Sequence, residues 1–190
     1  MRKFKNLTKN KNKVLAEKFS FLLKYNDDCT KNDCSWAAIT VFDHWLYESD
    51  SFHLIENATK SQKVSWDKAI KNFILELVKL ETPYKYKFIG RNTKQKLQFS
   101  QFINKVEFGE YLTRKYDETY SPNIVFNNLG VVFFFEDYWT IHFKYKKQED
   151  CLEMLKLINE IGLYVLPAYS AGHLNNYQEL STYMIQQGLK

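Results

Sequence analysis

Glycine, proline and cysteine are scarce in this 190-residue chain, and each shortage excludes a class of protein. The 6 glycines and 3 prolines are too few for a glycine-rich nucleotide-binding loop or for an all-β fold with many tight turns. The 3 cysteines are an odd number and do not make the dense framework of a small disulfide-stapled domain. They are typical of a reducing compartment.

Long apolar runs are also missing from the chain. No stretch has the length of a bilayer-spanning helix, and no apolar segment of a secretion signal follows the basic N-terminus. We therefore predict a cytoplasmic protein that does not associate with membranes. Arginine is scarce while lysine and asparagine are abundant, a usage that is typical of AT-rich coding DNA and suggests a bacterial or phage source.

Catalytic and cofactor-binding motifs are missing as well. The chain contains no P-loop and no Gly-x-Ser-x-Gly elbow. Cys29, Cys34, His44 and His53 are spaced too unevenly for a compact zinc module. We predict no metal and no cofactor, and these patterns give enzymatic activity no support.

The sharpest catalytic candidate is the string DCSW at residues 33–36. Ser35 is a typical cap for a helix over residues 35–46, and a thiol at a helix N-terminus is activated by the helix dipole. The string resembles the nucleophile segment of papain-like cysteine peptidases. That resemblance implies a hydrolase with Cys34 as nucleophile and His142 as base. The alternative is an ordinary small residue beside a helix cap.

Aromatic residues are abundant, at 17% of the chain, and predict a large core. The clearest pattern predicts strands at 124–126, 131–135 and 138–145, a helix over 148–161 and a strand at 163–166. Alternation in the third strand places Trp139, Ile141, Phe143 and Tyr145 on one face, which we expect to be buried.

The first half of the chain is mainly helical in its apolar spacing. It predicts helices near 15–23, over 35–46 and from Ser65 to about residue 80, with a loop over 48–62. Later segments predict a strand over 84–90, either strand or helix over 96–116, and a final helix over 177–187. We therefore predict one α+β domain over 1–190: a helical N-terminal half packed on a mostly antiparallel sheet, with a β-β-β-α-β C-terminal core. Residues 1–13 are predicted to be a flexible basic arm, 14–82 mainly helical, and 83–190 sheet with helices.

The net charge of +5 is unevenly distributed. Residues 84–96 contain no acid and carry five cations, which are Lys85, Lys87, Arg91, Lys94 and Lys96. Residues 1–13 are also basic without an acid, whereas the chain after residue 147 leans acidic. Because clustered cations attract anionic partners, these five residues are the predicted binding site.

We predict a non-enzymatic binding protein, an inhibitor or immunity-type antagonist of another macromolecule, and its expected partner is a protein with an acidic surface. One alternative is nucleic-acid binding, because Tyr84, Tyr86 and Phe88 alternate with the lysines and aromatic rings stack on bases. A second alternative is the hydrolase that depends on Cys34. A third is that the lysines are only the solvated face of an edge strand. The sequence leaves the oligomeric state open.

Overall fold

The computed structural model describes residues 3–23, 34–91, 95–104, 106–118, 120–135, 139–167 and 174–189. The strands are β1 (Phe4–Asn6), β2 (Ser35–Thr40), β3 (Tyr84–Ile89), β4 (Lys96–Phe102), β5 (Ile124–Phe126), β6 (Val131–Phe135), β7 (Thr140–Tyr145) and β8 (Tyr164–Pro167). The helices are α1 (Lys9–Lys18), α2 (His53–Glu56), α3 (Lys60–Leu80), α4 (Val106–Asp117), α5 (Leu152–Ile161) and α6 (Leu174–Gln186). Short 3-10 helices occupy Ser20–Leu23 and Gln148–Cys151.

All eight strands form one sheet in the order β1-β4-β3-β5-β6-β7-β2-β8, and every neighbouring pair is antiparallel. The register places residues of five adjacent strands in one cross-strand row, which runs Tyr84, Val125, Val132, Lys144 and Trp36. Because neighbouring strands run in opposite directions, β3 and β2, which are four strands apart, run in the same direction. Both strands therefore continue from this row toward the same end of the sheet. The tip of the β3–β4 hairpin lies at that end.

One face of the sheet is covered by α3, α4 and α5, with α6 beside β8. Strand residues on this face pack against buried apolar positions of α3, as when Phe73 stacks on Phe133 with ring centroids 6.2 Å apart. Helix α3 begins at a capping box in which the Thr59 side chain accepts from the backbone N–H of Gln62, and the Gln62 side chain accepts from that of Thr59. This face contains most of the core.

The opposite face has a smaller core beneath α1 and the first 3-10 helix. Its buried members are Leu15, Phe19, Phe21, Tyr86, Leu97, Phe99, Val125 and Val132. The Asn12 side chain joins α1 to the edge of β4 beyond the end of β1. Its amide nitrogen donates to the Leu97 carbonyl at 3.0 Å, and its oxygen accepts from the Phe99 N–H at 2.7 Å. One side chain therefore occupies the place of a neighbouring strand.

The structure confirms the predicted α+β class and the C-terminal β-β-β-α-β core. In β7, Ile141, Phe143 and Tyr145 are buried as the alternation predicted. Trp139, predicted on the same buried face, instead precedes the strand with a φ of 58° and is half-buried. Gly162 ends α5 in the left-handed region at a φ of 81°, where glycine has no Cβ to strain the backbone. Residues 96–116, whose sequence fitted either a strand or a helix, form strand β4 followed by helix α4.

The helix predicted over 35–46 is wrong, because Ser35–Thr40 is a central strand paired with β7 and β8. Both faces of this strand are covered from Ala37 to Thr40, so it lacks the polar alternation that marks a half-buried strand. Apolar residues continue beyond the end of this strand at helical spacing, so the sequence pattern of 35–46 is that of a helix.

Other boundaries also differ from the sequence prediction. The helix predicted near 15–23 is α1 followed by the 3-10 helix Ser20–Leu23. Helix α3 begins at Lys60 rather than after Ser65, and α2 lies inside the predicted loop 48–62. Within the arm predicted to be flexible, Phe4–Asn6 pairs with β4 and the chain from Lys9 is helical. Met1 and Arg2 lie outside the described residues.

Candidate functional site

The predicted basic residues lie on the β3–β4 hairpin. The two strands pair from Tyr84 opposite Gln101 to Ile89 opposite Lys96, so the hairpin extends well past the short strand β5. The sequence from Thr82 to Val106 contains no acid, so the charges of this hairpin are all basic. Lys94 belongs to the predicted site but lies outside the described residues.

Lys87, Arg91 and Lys96 are exposed near the hairpin tip. The pairing places Lys87 opposite Gln98 and Lys96 opposite Ile89, so both lysines project from the same face of the sheet. Two apolar residues of β3 are also exposed here: Ile89, by 39%, on the same face as the lysines, and Phe88, by 41%, on the opposite face. We call Lys87, Phe88, Ile89, Arg91 and Lys96 the basic tip.

Lys85 has surroundings unlike those of the basic tip. Its ammonium group lies 4.9 Å from the ring centroid of Phe4 on β1. Partial burial, together with the positive charge of Lys115 on α4, lowers the pKa of Lys85. Since a half-buried ammonium is poorly placed to meet a partner, we leave Lys85 out of the tip.

The aromatic residues that alternate with these lysines point to the other face. Tyr86 is only 2% exposed and packs against Phe99 in the smaller core, where burial raises the pKa of its hydroxyl. Tyr84 also packs against this core, and only Phe88 is well exposed. A surface that stacks successive bases needs several accessible rings. The geometry of β3 therefore offers little support for the nucleic-acid alternative.

The residues named for a cysteine hydrolase are far apart. Cys34 precedes a strand rather than a helix, so the helix dipole that would activate its thiol is missing at this position. His142 is opposite Ala38, four residues along β2 from Cys34, which corresponds to about 13 Å. The His142 ring instead contacts Trp36 and Trp45, at 5.1 and 5.9 Å between ring centroids, and burial lowers its pKa to about 4.

The described residues that were considered as metal ligands, Cys34, His44 and His53, do not form one site. Among the described residues, no group of three or more His, Cys, Asp or Glu side chains is arranged to hold a metal ion. Cys29 lies outside the described residues, so the structure does not place it. His44 contacts its neighbour Asp43, with Nδ1 2.5 Å from Oδ1.

Sequence reasoning missed two separate groups of tryptophan contacts around β2 and β7. Trp36 contacts Trp45, and Trp66 on α3 contacts Trp139 at 4.9 Å and Phe42 at 5.2 Å between ring centroids. All four tryptophans are half-buried. The Trp139 indole also donates to Asp67 at 2.6 Å. Because residues 35–46 were predicted to be a helix, the pairing of β2 with β7 was not predicted, and neither were these contacts.

Comparisons with known proteins identify no relative: no family model matches the chain, and no curated protein or solved structure matches it either. Among the described residues, no helix combines the length and apolar character needed to cross a membrane.

Proposed function

We propose that this chain is a non-enzymatic binding protein of the inhibitor or immunity type, acting in the cytoplasm of a bacterium or phage-infected cell. Its basic tip covers an acidic surface of another protein. The observation that supports this proposal is the joint exposure of cations and large apolar side chains on one projecting hairpin. Protein interfaces combine apolar anchors with a charged rim in this way.

The charges and the apolar residues of the basic tip have different roles in this proposal. Lys87, Arg91 and Lys96 attract the acidic partner and orient it before contact. Phe88 and Ile89, each about 40% exposed, lose their remaining accessible surface when the partner covers them. An antagonist of this kind works by occupying a surface, so it needs no catalytic group.

The experiment is quantitative affinity capture from a lysate of the source organism, with and without nuclease. The test variant combines Lys87→Glu, Arg91→Glu and Lys96→Glu. Its matched control combines Lys79→Glu, Lys146→Glu and Lys147→Glu, which reverses three exposed lysines at the opposite end of the sheet. We expect wild type and control to retain one protein in stoichiometric amount after nuclease, and the tip variant to lose it.

Two outcomes contradict the proposal. Equal capture by the tip variant and the control would show that the hairpin lysines are only a solvated face. Capture that disappears with nuclease would favour the nucleic-acid alternative. Thermal unfolding of each variant accompanies the capture, because surface substitutions of this kind cost within about 0.5 kcal/mol each and should leave the fold intact.

A further inference from the structure

The segment after β2 has the opposite character to the basic tip. Residues 43–56 carry four acids, which are Asp43, Glu48, Asp50 and Glu56, and they contain no lysine or arginine. Three large apolar side chains of the same segment are exposed: Tyr47 by 75%, Phe52 by 40% and Leu54 by 39%. We call residues 43–56 the acidic lobe. It combines negative charge with accessible apolar surface.

The acidic lobe is held in a defined conformation. Trp45 packs on Trp36 and His142, and Leu46 is buried. The backbone N–H of Ser51 donates to the Leu46 carbonyl at 2.8 Å, and the Ser49 hydroxyl donates to the Trp45 carbonyl at 3.2 Å. A surface that is already ordered loses little conformational entropy when a partner binds to it.

The sheet register places the acidic lobe and the basic tip at one end of the molecule. Counted from the cross-strand row of Tyr84 and Trp36, β3 continues five residues to Ile89 and β2 continues four residues to Thr40. The four strand spacings between β3 and β2 span about 19 Å at the row. The twist of the sheet then separates the two ends further. The two surfaces are therefore side by side without covering each other.

We propose that the basic tip of one copy binds the acidic lobe of a second copy, and that this contact forms twice in a two-fold symmetric dimer. A two-fold axis between the two surfaces pairs each tip with the opposite lobe, so the assembly closes at two subunits. The inference rests on the proposed function in that it uses the same basic tip. It adds that self-association competes with binding of the acidic target.

Complementary chemistry selects a second copy as the occupant. The three cations of the tip, Lys87, Arg91 and Lys96, meet a lobe that contains four acids and no lysine or arginine. Phe88 and Ile89 of the tip are an aromatic and an aliphatic residue, and the lobe exposes residues of the same two kinds in Tyr47, Phe52 and Leu54. Since the charges lie at an exposed rim, the contact is expected to weaken as salt screens them.

The experiment is sedimentation velocity over a series of protein concentrations, at low and at high salt. We expect the weight-average sedimentation coefficient to rise from the monomer toward the dimer value with concentration, and high salt to reverse the rise. The tip variant with Lys87→Glu, Arg91→Glu and Lys96→Glu, and a lobe variant with Glu48→Lys and Glu56→Lys, should each weaken association by about tenfold or more. Asp50 is kept because its φ of 50° is in the left-handed region, which few residues other than Asp, Asn and Gly adopt readily.

The decisive sample is an equimolar mixture of the tip variant and the lobe variant. The tip variant then presents two acidic surfaces, and the lobe variant presents a basic tip beside a lobe in which two lysines offset the remaining Asp43 and Asp50. The mixture therefore restores a contact between a basic tip and an acidic lobe, and we expect it to associate more strongly than either variant alone. The control for the tip variant is the lysine reversal used for affinity capture. The control for the lobe variant combines Glu110→Lys and Glu160→Lys, two exposed acids on α4 and α5.

A wild-type protein that stays monomeric over the whole concentration series overturns the inference, as does a mixture that fails to associate. These results leave the proposed function standing, because its test is capture of a different protein. The lobe variant separates the two proposals directly. It should lose self-association and still capture the acidic target, whereas the tip variant should lose both.

Discussion

His142 gives a measurable pH dependence at the residue scale. Burial between Trp36 and Trp45 lowers its pKa to about 4, whereas the unfolded chain binds this proton near the ordinary value of about 6.5. Between these two pKa values, His142 is protonated in the unfolded chain and neutral in the folded chain. We expect the free energy of unfolding to decrease on this account as the pH is lowered, by about 3 kcal/mol between pH 6.5 and pH 4.

The test is urea unfolding of wild type and His142→Phe at several values from about pH 7 to about pH 4. Phenylalanine keeps a ring between the two tryptophans but cannot be protonated, so the free energy of unfolding should depend less on pH. A matched variant, His53→Phe, alters an exposed position on α2 and should follow the wild-type curve. Parallel curves for wild type and His142→Phe would contradict this account of His142.

At the scale of elements, one carboxylate joins the end of α3 to the turn between β5 and β6. The Glu81 oxygens accept from the backbone N–H of Asn128 at 2.8 and 2.9 Å and from that of Leu129 at 3.1 Å. Hydrogen bonds to a charged group contribute about 1.5–3 kcal/mol. We expect Glu81→Ala to lower the free energy of unfolding by about 1–3 kcal/mol, measured by urea denaturation.

The same substitution should increase amide exchange at Asn128 and Leu129 before it affects the rest of the sheet. The control is Glu153→Ala, which removes an exposed ion pair with Lys156 and should cost less than about 1 kcal/mol. If Glu81→Ala costs no more than this control, the carboxylate does not stabilise the turn.

Local pattern was a reliable guide to the alternating strand β7 and to the short apolar run of β6, and it failed for β2. Strand β7 alternates because one side packs on the helices, so its faces were predictable from Ile141, Phe143 and Tyr145. Strand β2 lies between β7 and β8 and buries Ala37 to Thr40 without alternation. Its alanines also favour helix locally, and only the long-range pairing decides against it.

The candidate surfaces were predictable to different degrees. The absence of acids around Lys87 and Arg91 marked the basic tip without any structure. Lys85 looked equivalent in sequence, because nothing local shows that β1 brings Phe4 beneath it. The acidic lobe was not singled out, since its exposed Tyr47 and Phe52 followed a segment predicted as helix.

At the scale of the whole molecule, the single domain predicted from the sequence has a spectroscopic test. All four tryptophans belong to the half of the sheet around β2 and β7, whereas far-UV circular dichroism reports on every helix and strand. We expect tryptophan fluorescence and circular dichroism to give the same midpoint in urea, because one eight-stranded sheet crosses both halves. Separated midpoints would show that the β1-β4-β3 side unfolds independently.

The hydrogen bonds of the Asn12 side chain limit how the β3–β4 hairpin can bind a partner. An open strand edge can accept an extra strand from a partner, and such pairing depends on backbone groups more than on side-chain identity. Asn12 occupies the Leu97 carbonyl and the Phe99 N–H, and the Leu7 N–H donates to the Phe99 carbonyl at 3.2 Å. This part of the β4 edge is closed to strand addition. Recognition along this part of the hairpin therefore depends on side chains, which leaves it open to change by single substitutions in either partner.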